Sequence, residues 1–383
     1  MASAPESGRS LTLDRWNDEF LESMRYTGDP AADDVIAGLF GDGNISAVNA
    51  LMRTLVENEY PPPEALPVAV RDYLRDTGEL PPWADSKTIE KGERVFWRFG
   101  PRLILVLHCY ALPYCYVARK GVQVLALTGR LTGNPARRII ETAQMLVDVL
   151  QPGGLTTPDG RGRRTIQKVR LMHAAVRRLA QMSPEWKHEF GVPVNQEDLA
   201  GTLMSFSFVS LDGLRKSGIT VSPEDQEAYI HSWRVAGHLL GLREDMNPES
   251  MASADVLNSA IVRRQFAASP EGRMMTDALV KTMQYELPGD ILDGLPALFI
   301  RYFLGAEHAS MIGIDESRFT RLAAVPLRIA GGAVSEILHD SALVSRLAEK
   351  LGHALIQAIV FVGRGGNRPS FAIPAPPTEA RIT

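Results

Sequence analysis

The sequence predicts an all-α protein. In most segments of the 383-residue chain, apolar residues recur at three- and four-residue steps, which is the period of an amphipathic helix. No Val-, Ile- or Thr-rich segment shows the two-residue alternation of a half-buried strand. Short loops containing Gly and Pro separate the periodic segments. We therefore expect one large helical domain with a helical core and peripheral N-terminal helices.

The composition is that of a soluble globular protein, with 45% hydrophobic and 22% charged residues. A formal net charge of -4 leaves no basic footprint, so we expect no nucleic-acid partner. The two cysteines, Cys109 and Cys115, are too few for a disulfide framework or a metal site, which fits a reducing compartment or two buried thiols. The N-terminus lacks the basic-then-apolar build of a secretory signal, and the sequence therefore favours a cytoplasmic location.

The first 85 residues predict a helical extension. We expect a short helix at residues 13–25 and two helices within residues 33–59, separated by a Gly- and Asn-containing turn at residues 41–44. Prolines 61–63 force extended backbone before a further helix around residues 68–74. The predicted organisation is this extension (residues 1–85), a helical main domain (residues 86–362) and an irregular C-terminal tail (residues 363–383).

Asp85 is a good polar cap for the helix that opens the main domain. The most apolar stretch follows, at residues 103–117, and contains His108 and Pro113. Because it is shorter than the about 20 residues that span a bilayer, we expect no stable membrane insertion. We interpret it as a buried helix, or as two helices broken at Pro113.

The Gly-rich segment at residues 151–164 is the longest interior loop. It lies next to the helix that carries the candidate site, and the pattern allows either a lid or a plain solvent loop. Further helices are expected at residues 120–132, 134–150, 165–182, 197–216, 223–242, 250–268, 271–285, 291–305, 316–339 and 341–362.

The helix at residues 165–182 carries a histidine in its apolar stripe, His173. Arg170 and Arg177 lie three residues before it and four after it, so all three side chains can reach one patch of the helix surface. An imidazole in apolar surroundings beside two cations suits a haem with an iron-bound histidine and anionic propionates. The alternative is a core histidine on a helix with ordinary surface arginines.

Four blocks of the sequence match motifs of a known protein family. Two of them are RLMHAAVR at residues 170–177 and RIIET at residues 138–142. The other two are residues 191–202 and residues 227–241. Together they resemble the rubber oxygenase family, also called latex clearing proteins, and the related mpaB-type oxygenases. The resemblance covers roughly residues 90–315. It implies haem b as cofactor, with His173 as the proximal iron ligand and Arg170, Arg177 and Thr202 as further cofactor-binding residues.

On the distal side the resemblance implies catalytic roles for Arg138, Glu141 and Thr142. Arg138 would offer a cation, Thr142 a hydroxyl donor and Glu141 a proton-carrying carboxyl group. The alternatives are a surface ion pair between Arg138 and Glu141 and a hydroxyl of Thr142 that bonds within its own helix. Asp198 and Asn195 are candidates for the partner of the His173 imidazole, and both also suit helix capping.

One departure from the family pattern affects the expected substrate. The family's distal lysine is Glu141 here, and residues 119–138 contain no Asp or Glu. This departure puts polyisoprene in doubt. We therefore expect an oxygenase that uses O2 to cleave or oxygenate a C=C bond of an apolar alkene- or isoprenoid-containing small molecule. The rival hypotheses are a haem carrier or gas sensor without turnover, and a haem-free helical binding protein.

His231 and His238 are seven residues apart, near enough to two turns to share a helix face. A second metal site there is disfavoured, because no carboxylate or cysteine completes a ligand set at a suitable step. Packing around a haem or between helices is the preferred interpretation.

Overall fold

The computed structural model describes residues 15–41, 66–132, 135–158, 160–286 and 294–315. Within these ranges the chain is all-α, as predicted, and the only β-type pairing is an isolated bridge between Ala118 and Phe266. The helices are α1 (Asp18–Arg25), α2 (Pro30–Gly41), α3 (Val68–Asp76), α4 (Ser86–Val106), α5 (Leu112–Val117), α6 (Val122–Thr132), α7 (Pro135–Leu150), α8 (Arg161–Gln181), α9 (Gln196–Phe206), α10 (Phe208–Lys216), α11 (Pro223–Leu239), α12 (Met251–Gln265), α13 (Pro270–Glu286) and α14 (Leu295–Met311).

Polar caps begin several of these helices. The carboxylate of Asp85 accepts a hydrogen bond from the Thr88 N–H at 2.8 Å, which confirms the predicted start of α4. Ser222 and Ser250 cap α11 and α12 in the same way. The second helix expected within residues 33–59, the helices at 316–339 and 341–362, and the tail lie outside the described residues.

The predicted break at Pro113 is wrong. α4 continues through a π-helical turn, Leu107–Ala111, directly into α5. The Leu112 N–H bonds to the Leu107 carbonyl, five residues back. A proline ring collides with the carbonyl four residues before it in a regular helix, and the wider π turn accommodates that ring without a break. The predicted buried helix is confirmed, because residues 107–113 are buried.

By length and composition alone, the continuous helix Ser86–Val117 is long and apolar enough to cross a bilayer. However, 67% of its most apolar window is buried inside the protein. A core helix of a folded domain passes the same test, so this finding is weak evidence for a membrane span.

The single helix predicted at residues 197–216 is in fact two helices. The chain departs from helical geometry at Ser207, which has φ -101° and ψ -85°, and this residue separates α9 from α10. The Ser207 hydroxyl donates to the Leu203 carbonyl at 2.7 Å. Serine side chains that bond to the backbone compete with regular helix geometry, which periodicity of apolar residues does not reveal.

Two apolar clusters hold the fold together. The larger extends from Trp16 to Ile314 and has the pair α4 and α11 at its centre. The smaller joins α2, α3 and α8 through residues such as Ile36, Leu74 and Leu171. Because Ile166 and Val169 of α8 belong to the larger cluster, this helix lies between the two clusters and packs against both.

Candidate functional site

The centre of α8 is partly open. Leu171, Ala174 and Ala175 are buried, whereas Met172, His173 and Val176 keep partial exposure in a helix that is otherwise largely enclosed. At helical spacing these three residues lie on one side of α8, next to Val169 of the larger cluster. We call Met172, His173 and Val176 the open strip. The structure therefore places the predicted histidine in an accessible apolar setting.

Arg170 is held by a carboxylate from the start of α2. Its Nε and Nη2 atoms bond to the two oxygens of Asp29 at 2.6 and 2.8 Å. A further contact of 3.4 Å runs from Nη1 to the Leu239 carbonyl. Burial opposes the charge of Arg170, but the hydrogen bond to Asp29 and nearby negative charge raise its pKa above the ordinary value. Arg170 is thus a cation paired in bidentate geometry.

Arg177 has a similar environment. Its Nε donates to Asp33 Oδ1 at 2.7 Å, and its Nη1 donates to the Val194 carbonyl at 2.6 Å. The Nη2 atom is buried and has no hydrogen-bond partner in the described part of the chain. Both arginines therefore form salt bridges with acids at the start of α2, Asp29 just before it and Asp33 in its first turn, and a role toward propionates stays a prediction.

The distal candidates lie on α7, which precedes α8 and packs along it. Near the loop between them, Thr165 Oγ1 donates to Asp148 Oδ2 at 2.9 Å. Glu141 lies two turns before Asp148, and His173 lies about two turns after Thr165. Because α8 returns along α7, Glu141 and Thr142 come to the level of the open strip. Both are partly exposed, and Arg138 lies one turn earlier on the same helix.

Thr202 lies on a different helix from the other candidates. It lies on α9, which packs chiefly against α1, α5, α10 and α12. Its exposed hydroxyl donates to the Asp198 carbonyl of its own helix at 2.8 Å. A cofactor-binding role for Thr202 therefore stays a prediction without support from this arrangement.

The two candidate partners of His173 have other contacts. Asn195 caps α9 by accepting from the Asp198 N–H at 2.9 Å, as the capping alternative predicts. The Asp198 carboxylate pairs with Arg25 of α1. Burial raises the pKa of Asp198 although Arg25 opposes that shift.

His231 and His238 flank one aromatic ring. Both contact Trp83 edge-on, with ring centroids 5.9 and 6.0 Å away, and the guanidinium of Arg234 stacks 3.9 Å from the Trp83 ring centroid. No group of three or more candidate metal ligands occurs among the described residues. This arrangement agrees with the predicted packing role.

The described residues of the loop between α7 and α8 pack closely at two glycines. A Cβ atom on Gly154 would come 2.5 Å from the Asp148 carbonyl oxygen, and one on Gly162 would come 2.7 Å from that of Gly154. Glu93 of α4 accepts a hydrogen bond from the Gly153 N–H at 3.2 Å. The loop therefore fixes the start of α8, a role that its glycine content alone did not predict.

Asp29 and Asp33 are the residues of this site that the motifs missed. They lie one turn apart at the beginning of α2, where acidic residues are common because they favour a helix N-terminus. Their only sequence signal is this spacing, and spacing does not identify the arginines about 140 residues away.

The comparison with known proteins resolves the family. A family model described as the catalytic domain of ER-bound oxygenase mpaB/B' and rubber oxygenase matches residues 114–335, which is more than half of the chain. The chain belongs to this family. As an mpaB/rubber oxygenase family member it is an oxygenase, and the matched range includes α7, α8 and the open strip.

Two proteins show the extent of the similarity. The rubber oxygenase of Streptomyces sp. (strain K30) is 30% identical over 298 residues, which cover 76% of this chain and 71% of the relative. A solved structure of latex clearing protein in the closed state superposes with a TM-score of 0.74 at 26% identity, covering 92% of this chain and 95% of that one. The mpaB/rubber oxygenase family member described here therefore shares its helical fold with latex clearing protein.

Proposed function

We propose that this protein is a haem b-dependent oxygenase in which His173 is the proximal iron ligand. The observation that carries the proposal is the open strip, an accessible imidazole between apolar side chains in the middle of an otherwise enclosed helix. Apolar surface left open inside a fold commonly accommodates a ligand. Membership of an oxygenase family supports the same conclusion.

The residues present fit haem b. Met172 and Val176 offer apolar contacts for a porphyrin face, and His173 offers a ring nitrogen between them. Arg177 retains a buried nitrogen without a partner in the described part of the chain, which can satisfy an acidic group of a ligand. Bound haem would supply the iron chemistry by which oxygenases activate dioxygen.

The chain's own residues would orient substrate and move protons. Glu141 can hold and release a proton from the α7 side, while the hydroxyl of Thr142 donates a hydrogen bond. Arg138 adds a cation one turn earlier. The apolar side chains of Met172 and Val176 favour an apolar substrate.

We propose an alkene- or isoprenoid-containing small molecule as substrate, which the enzyme cleaves or oxygenates at a C=C bond using O2. The relative from Streptomyces is named a rubber oxygenase, which supports an isoprenoid-like substrate class. Glu141 occupies the position of the family's distal lysine, and this difference supports a substrate other than the polymer. Cytoplasmic residence and the three-part division at residues 85 and 362 also stay proposals.

An absorption spectrum of the purified, haem-reconstituted protein tests the cofactor. We expect a Soret band that His173→Ala abolishes or shifts, because that variant removes the ligand nitrogen. His188→Ala is the matched control, since His188 is exposed and lies outside the open strip. A wild-type protein without a Soret band contradicts the haem proposal, and an unchanged spectrum for His173→Ala contradicts the ligand assignment.

Incubation with isoprenoid alkenes under labelled dioxygen tests the reaction. We expect carbonyl or hydroxylated products that carry the label, with no such products from His173→Ala.

The second candidate function is a haem carrier or gas sensor, which the replacement of the family lysine by Glu141 favours. Haem binding with no labelled product across a broad panel of alkenes would support that second function.

Glu141→Lys tests whether this position faces the iron. Restoring a lysine should shift the reconstituted spectrum toward a six-coordinate, low-spin form, because a deprotonated amine is a strong axial ligand. Glu224→Lys, an exposed position at the start of α11, controls for the change of charge. Identical spectra for wild type and Glu141→Lys would contradict a distal location.

A further inference from the structure

The segment at residues 27–33, which we call the N-terminal strap, connects α1 to α2 and is fastened beside α8. The Gln196 N–H donates to the Thr27 carbonyl at 3.0 Å. The Gln196 side chain donates to the carbonyls of Gly28 and Gly241, also at 3.0 Å. One glutamine therefore joins the strap to the turn that follows α11.

Two arginine–aspartate pairs join the strap to α8 on either side of His173. The Arg170–Asp29 pair lies three residues before the histidine and the Arg177–Asp33 pair four residues after it. The Arg170, Asp29 and Arg177 side chains are only 11%, 8% and 4% exposed. The backbone N–H of Asp29 also donates to Asp33 Oδ2 at 3.2 Å, which fixes the Asp33 carboxylate to the backbone of the strap.

Two glycines let the backbone lie directly against these pairs. A Cβ atom on Gly241, whose φ is +83°, would come 2.5 Å from Arg170 Nε and 2.6 Å from Asp29 Oδ2. A Cβ atom on Gly28 would come 2.9 Å from Asp33 Oδ2 and 3.4 Å from the Arg177 side chain. Both pairs are therefore closely enclosed by the backbone of the strap and of the turn after α11.

We propose that Asp29 and Asp33 are positioning residues for His173, through which the N-terminal strap sets the position of the iron-binding helix. This inference rests on the proposed function of His173. A ligand must be held within a fraction of an ångström, and the bidentate Arg170–Asp29 pair on one side of it and the singly bonded Arg177–Asp33 pair on the other provide that restraint. The carboxylates also neutralise two guanidinium charges close to the haem position.

The full-length, haem-loaded protein with Asp29→Asn tests the proposal. Transfer of haem to an excess of apomyoglobin should accelerate about 10- to 100-fold, the range for loss of a group that orients a metal ligand. The haem reduction potential should become more positive, because the unpaired Arg170 cation disfavours the oxidised iron. Asp29→Asn with Arg170→Gln removes both charges and should return the potential toward the wild-type value.

Asp18→Asn is the matched control. Asp18 is a 67% exposed carboxylate of α1 that pairs with Arg263 and Arg264, away from the strap, and its loss should change neither haem release nor potential. Wild-type release rates and potentials for both Asp29→Asn and Asp33→Asn overturn the positioning role while the haem proposal stands. If Asp29→Asn does not fold, Asp33→Asn decides alone, because Asp33 is 34% exposed.

If the wild type binds no haem, the proposed function fails, and hydrogen exchange of α8 in the Asp29→Asn protein tests the strap itself. Faster exchange at residues 166–177 is then the expected result. Unchanged exchange overturns the inference.

Discussion

The buried carboxyl group of Glu93 binds the loop before α8. Its Oε2 atom accepts from Gly153, whereas Oε1 is buried without a hydrogen-bond partner among the described residues. Burial raises the pKa of this carboxyl above its ordinary value. The folded state then binds a proton more tightly than the unfolded state, so stability falls as pH rises from the ordinary carboxyl pKa to the folded one.

Glu93→Gln should remove this dependence. Glutamine retains an oxygen for Gly153 and does not ionise, so the melting temperature of the variant relative to wild type should increase as pH rises above the ordinary carboxyl pKa of about 4. Circular dichroism melts at several pH values measure the difference. Glu224→Gln, at an exposed position, should show no such trend. A difference that is constant with pH would contradict the assignment of the shift to Glu93.

At the residue scale, sequence identified His173 and the structure added what surrounds it. The R-x-x-H-x-x-x-R spacing depends only on local helix geometry, so it could be interpreted before the fold was known. Asp29 and Glu93 could not be assigned in this way. Their partners are distant in sequence, and only the packing of α2 and α4 brings them together.

At the scale of elements, α1, α9 and α12 are joined by a buried charge network. Arg25 and Glu197 both have 0% side-chain exposure and are 2.9 Å apart. Glu197 also accepts from Arg264 and from Gln265 of α12, each at 2.9 Å. The network satisfies the charges that it buries and fixes the order in which the three helices pack.

Arg25→Met should destabilise the fold by about 3–5 kcal/mol, because it leaves the buried carboxylates of Glu197 and Asp198 without their main cation. Denaturant unfolding measures the change. Arg75→Met is the matched control, since Arg75 is 68% exposed in its pairs with Asp72 and Asp76, and its loss should have a far smaller effect because solvent screens such pairs. Equal losses for the two variants would show that the buried network contributes no more than a surface pair.

The contact between α4 and α11 depends on a glycine. A Cβ atom at Gly92 would come 2.6 Å from the Ala228 carbonyl oxygen and closer still to Ser232 Oγ. Gly92→Ala should therefore lower the free energy of unfolding by about 1–3 kcal/mol through overpacking. Gly38→Ala, in α2, meets no described atom within 4 Å and should raise it by about 0.5–1 kcal/mol. A stabilised Gly92→Ala protein would mean that the two helices can separate freely.

The sequence predicted most helices, but it did not predict a π turn in one of them or a break in another. Caps such as Asp85 and Asn195 mark helix starts because their hydrogen bonds are local. The π turn before Pro113 and the break at Ser207 were not predicted, because the pattern of apolar residues shows neither the Leu112–Leu107 backbone bond nor the bond of the Ser207 hydroxyl. Proline ordinarily ends a helix, but the wider π turn before Pro113 leaves room for its ring.

At the scale of the whole molecule, the N-terminal helix contributes to the main core. Trp16, Leu21 and Met24 are at most 4% exposed and pack in the same apolar cluster as α4 and α11. The boundary proposed at residue 85 therefore separates segments that share one core. The periodicity of apolar residues predicted an all-α architecture. It could not predict which helices pack together, because those contacts join residues far apart in the sequence.

Deletion of residues 1–85 should prevent stable folding. Each of the three apolar side chains contributes about 1.5–3 kcal/mol of burial. Their loss, together with that of Arg25, approaches the about 5–15 kcal/mol that stabilises a typical domain. Near-UV circular dichroism and gel filtration of the chain that starts at Ser86 measure the result. A sharp near-UV spectrum and a cooperative melt would instead establish residues 86–383 as an independent domain.

The packed loop before α8 also controls the rotational phase of the helix. An α-helix turns by about 100° per residue, so one residue inserted between Gly162 and His173 would swing the imidazole about that far around the axis. A Cβ atom at Gly154 or Gly162 would come too close to carbonyl oxygens, so a residue with a side chain cannot take either place. The number of helical residues between Gly162 and His173 is therefore part of the site, as much as the identity of the histidine.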